Sequence, residues 1–124
     1  MTKPLALIFY ERLLPGSQLV NRLQDLGYRV TTVNDLGALT IQAKSEKPML
    51  IVMDLTSDRG DTGEVIRELK GNSETAYMPV LAFASADNRK LLSRGSEGGA
   101  DLVAMDDAIL PQLPHLLDQV LEVN

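Results

Sequence analysis

Short apolar runs alternate with amphipathic stretches from one end of the chain to the other, a pattern that predicts parallel strands joined by helices. Leu5-Ala6-Leu7-Ile8-Phe9 is continuously apolar, as expected of a strand buried on both faces. Leu19, Val20, Leu23 and Leu26 then recur at helical spacing, and Gly27 is placed to stop that helix. Arg29-Val30-Thr31-Thr32-Val33 is β-branched but more polar and suits an outer strand. Asn34 or Asp35 can cap a second helix carrying Leu39, Ile41 and Ala43, which Lys47-Pro48 should end. Met49-Leu50-Ile51-Val52-Met53 is the clearest buried strand and runs into Asp54.

The same alternation continues through the second half. A polar loop from Thr56 to Gly63 leads into a helix with Val65, Ile66 and Leu69 on one face, followed by a fourth strand over Pro79 to Ala84. A fourth helix spans about Asp87 to Glu97, and Gly95 in its interior costs about 1 kcal/mol relative to alanine, which predicts the loosest of the helices. Asp101-Leu102-Val103-Ala104-Met105 supplies a fifth strand. Leu113, Leu116, Leu117, Val120 and Leu121 line the last helix; Pro111 fits its first turn, and Pro114 fits only if the helix starts late. The reading is five strands and five helices in one domain covering 1–124, without internal repeat or linker.

Composition narrows the function. With 124 residues, 44% of them hydrophobic, the chain can build one core. A formal charge of -5 argues against a nucleic-acid surface, which requires clustered Lys and Arg. The absence of cysteine excludes disulfides, thiolate chemistry and cysteine-based zinc sites. Met1-Thr2-Lys3-Pro4 opens onto an apolar run too short to span a bilayer and without the features of a signal peptide, so a soluble cytoplasmic protein is expected.

In an open parallel sheet, ligands lie beyond the carboxyl ends of the strands where the strand order reverses. The residues just past the strands are Tyr10 and Glu11, Asp54, Ala84 and Ser85, and Asp106 and Asp107. Carboxylates from segments distant in sequence are thus expected to converge.

At these positions the chain resembles, over essentially its whole length, the receiver domains of two-component response regulators. The resemblance implies a flavodoxin-like, doubly wound α/β fold with a five-stranded parallel sheet in the order 2-1-3-4-5. It places Asp54 at the phosphoacceptor position and Glu11 at one position of the family's acidic pair. Four features depart from the pattern. Tyr10 replaces the second acid, Ala84 the hydroxyl residue after strand four, Asp106-Asp107 the Lys-Pro pair after strand five, and Val103 the strand-five aromatic. The loop after Asp54 also has Asp58 and Thr62 where the family has Pro and Gly. Exchanging a cation for an anion beside an acyl phosphate adds repulsion and removes a donor, so phosphoaspartate formation and retention should both suffer.

Two signalling roles follow from the resemblance. In one, the domain belongs to a two-component phosphorelay but has a degenerate site and acts as a protein–protein interaction module through its fourth helix, fifth strand and last helix. Its partner is then a signalling protein, a histidine-kinase pathway component or a second copy. In the alternative it is a working phosphoacceptor, modified slowly at Asp54 with Mg²⁺. Glu11, Asp54 and Asp106 are the candidate ligands of such a divalent cation, unless they instead share protons or splay into water. No enzyme is expected, since no nucleophile and base are paired. A flavin-binding protein would need a small, hydroxyl-rich phosphate loop where Glu11-Arg12-Leu13-Leu14-Pro15 is acidic, bulky and apolar. His115 reads as an ordinary surface or boundary residue, and Arg59-Gly60-Asp61 as a chance tripeptide.

Overall fold

The computed structural model describes residues 3–122, so Met1 and Thr2, where the expected absence of a leader is read, lie outside the described residues. Five parallel strands form one sheet: β1 (Leu5–Phe9), β2 (Arg29–Val33), β3 (Leu50–Asp54), β4 (Val80–Ala84) and β5 (Leu102–Met105). Their order is β2-β1-β3-β4-β5, the flavodoxin-like arrangement implied by the resemblance. The helices are α1 (Leu13–Asp25), α2 (Leu39–Glu46), α3 (Thr62–Gly71), α4 (Arg89–Gly98), α5 (Asp106–Ile109) and α6 (Leu113–Leu121).

Strand alternation builds two apolar layers. On one face Leu7, Phe9, Ile51, Met53, Val80 and Ala82 pack with Leu39 and Ala43 of α2 and Ile66 and Leu69 of α3. On the other, Ala6, Ile8, Leu50, Val52, Leu81 and Phe83 meet Leu19 and Leu23 of α1 and the apolar side of α5 and α6. Every residue of β1, β3 and β4 is buried, which is why these strands read as unbroken apolar runs. The polar strand β2 is an outer one, as its composition predicts.

Several boundaries differ from expectation. Met49 precedes β3 and is exposed, although its N–H donates to the Leu5 carbonyl, while Asp54 is the last residue of the strand itself. Gly27, with φ of 99°, takes the left-handed conformation that ends α1. Asp35 accepts from the Gly37 N–H and caps a 3₁₀ turn (Leu36–Ala38) ahead of α2. The single last helix expected is two. Pro111 lies between α5 and α6 because it has no N–H with which to continue a helix, whereas Pro114 sits in the first turn of α6, where none is needed.

Opposite ends of the sheet carry different polar ties. At the amino end of β4, Lys70 Nζ donates to the Ala76 and Met78 carbonyls at 3.2 and 2.8 Å and to Asp101 at 2.7 Å. The same Asp101 oxygen accepts from the Val80 N–H, fastening α3 to the entrances of β4 and β5.

Helices α3 and α4 meet through glycine. A Cβ on Gly98 would lie 2.6 Å from the Gly63 carbonyl oxygen and 3.3 Å from Ile66 Cβ, so only hydrogen fits there. Gly95 lets α4 lie against the segment leaving β3, since a Cβ there would come 2.8 Å from Leu55 Cδ1. The glycines that weaken α4 as an isolated helix are what let it approach the core. Gly98→Ala is accordingly expected to destabilise the fold by about 1–3 kcal/mol despite alanine's better helix propensity. Gly71→Ala, which meets nothing within 4 Å, should be neutral or stabilising. Urea unfolding of the two variants checks both signs.

Candidate functional site

The sheet order reverses between β1 and β3, and the segments leaving the carboxyl ends of β1, β3 and β5 converge beside that point. Asp54 is drawn there because it continues a wholly buried strand; its side chain is 0% exposed. A buried carboxylate is costly unless paired and hydrogen-bonded. Its partner is Arg12, in the β1–α1 connection. Arg12 Nε donates to Asp54 Oδ2 at 2.7 Å and Nη2 to Asp54 Oδ1 at 2.8 Å, a two-pronged match of planar fork to carboxylate. The Thr56 N–H adds a third donor to the carboxylate, reaching Oδ1 at 3.0 Å.

The same guanidinium reaches β5's end. Nη1 donates to Asp106 Oδ2 at 3.0 Å and Nη2 to Asp106 Oδ1 at 3.1 Å, so one cation engages all four oxygens of two carboxylates. Asp106, and then Asp54, hold the Arg12 guanidinium still more firmly protonated than usual, against the opposing effect of partial burial. Arg12 and Asp106 are about a third exposed at 31% and 29%, so the ion triad is closed below by Asp54 and open above to solvent. Among the described residues, no buried side-chain nitrogen or oxygen lacks a partner.

Glu11 goes elsewhere. Its carboxylate accepts from the Ser57 hydroxyl and, at 3.0 Å, from the Asp58 N–H, which ties β1's exit to the loop after β3. The Ser57 bond chiefly lowers its pKa, against the opposing effect of desolvation, with the Asp58 N–H and the charge of Arg59 assisting. The three expected ligands are therefore not gathered at one point. Asp54 and Asp106 share Arg12 while Glu11 turns to the neighbouring loop, and among the described residues no group of three or more acidic or histidine side chains is placed to hold a metal. As it stands, this donor set does not fit a divalent ion, because the carboxylate oxygens already face N–H donors.

The other expected residues fall as follows. Tyr10 is half-buried against the α1 side of the sheet. Ala84 is fully buried at the end of β4, and Ser85 faces its own turn, accepting from the Asp87 N–H. Val103 packs against the α3–α4 layer, and Thr62 is buried with its hydroxyl donating to the Leu55 carbonyl. His115 is exposed. Sequence reasoning missed Arg12, and charge balance was the available signal: a segment that brings Asp54 and Asp106 together without the family's lysine needs a cation from another strand end.

No family model matches the sequence, and neither does any curated protein. Solved structures do match, and they give the architecture its class: the fold is that of CheY-like receiver domains. The receiver domain of a Pseudomonas aeruginosa sensor histidine kinase, solved with a magnesium ion coordinated in its active site cleft, superposes with a TM-score of 0.87 at 18% identity. That match covers 97% of this chain and 98% of the other. Chemotaxis protein CheY4 of Vibrio cholerae gives 0.83 at 18% identity, covering 96% and 99%. The signal receiver domain of a histidine kinase from Syntrophus aciditrophicus gives 0.78 at 22%, covering 98% and 95%.

Removing one partner of a buried pair leaves the other charge uncompensated, so Arg12→Ala is expected to cost about 2–4 kcal/mol. Asp54→Asn should then cost less in the Arg12→Ala background than in the parent, by more than about 1 kcal/mol, in a denaturant double-mutant cycle. Glu11 gives a pH effect of definite sign. Its pKa is lower folded than unfolded, so the stability it adds is present above its ordinary value of 4.5 and is lost as pH falls through the lower folded value. Melting curves of Glu11→Gln and the parent should therefore converge on acidification below about pH 4.5.

Proposed function

We propose that this chain is a receiver-type module of two-component signalling that works in the cytoplasm by binding another protein, with its phosphorylation site degenerate, and that it is not an enzyme. The observation that carries the reading is the Arg12 fork on Asp54. Attack on phosphorus needs a carboxylate oxygen with open space beside it for the incoming phosphoryl group. Both Asp54 oxygens instead accept from Arg12, and the side chain is fully buried. Ala84 offers no hydroxyl to the site and Asp106 adds a negative charge, so two further supports of a phosphoryl group are missing. The magnesium ion of the Pseudomonas aeruginosa neighbour marks what such a cleft can hold, whereas here Arg12 supplies the positive charge.

The partner surface in this reading is the α4–β5 side. Arg89, Lys90 and Arg94 are exposed on α4 beside half-buried Leu91 and Leu92, and Met105 at the edge strand is 47% exposed. The test is intact-mass analysis after incubation with acetyl phosphate and Mg²⁺, with Asp54→Asn in parallel. The expected result is no phosphoryl adduct on the folded parent. An adduct that disappears in Asp54→Asn would replace this reading with that of a slow phosphoacceptor.

A further inference from the structure

Arg12 does more than cover a reactive carboxylate. Its guanidinium lies between a carboxylate that ends β3 and one that follows β5, and it donates 2.7–3.1 Å hydrogen bonds to every one of their oxygens. Nη2 alone lies 2.8 Å from an Asp54 oxygen and 3.1 Å from an Asp106 oxygen, so a point within reach of both side chains exists and a cationic nitrogen occupies it. A metal ion would need those same oxygens and would sit against a fixed positive charge. Arg12 and a divalent ion are therefore mutually exclusive.

We propose that Arg12 is the resident cation of this site, standing in for a divalent ion, and that its removal converts Asp54 and Asp106 into a divalent-cation site. The inference deepens the functional reading above and rests on it in one respect: the module holds a single charge state without drawing on dissolved metal. Two carboxylates without a counter-charge, one of them fully buried, form a strongly electronegative hollow. Carboxylates arranged around a planar guanidinium fork are not set octahedrally, which favours an ion that accepts irregular oxygen contacts over Mg²⁺, which demands short octahedral ones. The latent site should therefore prefer Ca²⁺ to Mg²⁺.

The experiment is a Mn²⁺ titration followed by paramagnetic broadening of backbone amide signals in ¹H–¹⁵N spectra, with no phosphodonor present. The spectrum itself reports that each variant is folded. In the parent, no saturable broadening of the Leu55, Thr56 and Asp107 amides is expected. In Arg12→Ala, those amides should broaden saturably with a midpoint on the order of 1 mM, and added Ca²⁺ should reverse the effect better than Mg²⁺. Arg12→Ala/Asp54→Asn should lose the broadening. If Arg12→Ala does not fold, Arg12→Gln, which keeps a shorter neutral polar side chain at the position, takes its place. Equal broadening in the parent, or none in a folded Arg12 variant, would overturn the proposal. Phosphorylation of Asp54 in the mass experiment would sink the functional reading while leaving this result standing, so the two failures are distinguishable.

Discussion

A carboxylate with no exposed surface at the end of an apolar strand must be neutralised in place, and the arrangement of this site follows from that requirement. The central strand carries Asp54 into the crevice beside the sheet's reversal point. Water cannot solvate it there, so charge and donors have to come from neighbouring chain. The β1–α1 connection contributes Arg12, and the turn after β3 contributes the Thr56 N–H. Asp106, at the start of α5, takes two further donors of the guanidinium fork. The exit of β1 is thereby fixed twice, through Arg12 to β3 and β5 and through Glu11 to the Ser57–Asp58 loop.

The fold was readily legible in the sequence because it depends on apolar runs that nothing else in the chain imitates. β1 and β2 occupy the positions read from composition alone, and β3, β4 and β5 differ by a residue or two at their ends. The splitting of the last helix was harder to see, because Pro111 and Pro114 both satisfy the local rules for a helix start and only packing decides between them. Gly95 shows how a local penalty misleads. Its cost in an isolated helix is real, but its missing side chain is what α4 needs to lie against Leu55.

The site was legible in part. Asp54 ends its strand and Glu11 and Asp106 lie just past theirs, as the parallel topology requires. Which of them meet was not legible, since a long side chain such as arginine can reach across several ångströms and its target is set in three dimensions. Arg12 follows Glu11 directly, yet the two turn to different partners. Three like charges in one crevice carry a cost, which is why sharing protons or splaying apart stood as the alternative to a gathered site. The structure lowers that cost by separating Glu11 from the other two and placing a cation between the pair.

The clamp also has a place in time. Arg12 and Asp54 are 42 residues apart, and Arg12 and Asp106 are 94 apart, so the second half of the contact closes about three-quarters of the chain into a loop. Contacts of such separation form only after the intervening loop entropy has been overcome. A nascent chain can join Arg12 to Asp54 once the third strand is in place. The guanidinium stays half-satisfied until β5 settles at the sheet's edge, which makes the completed triad the signature of a chain whose last strand has docked.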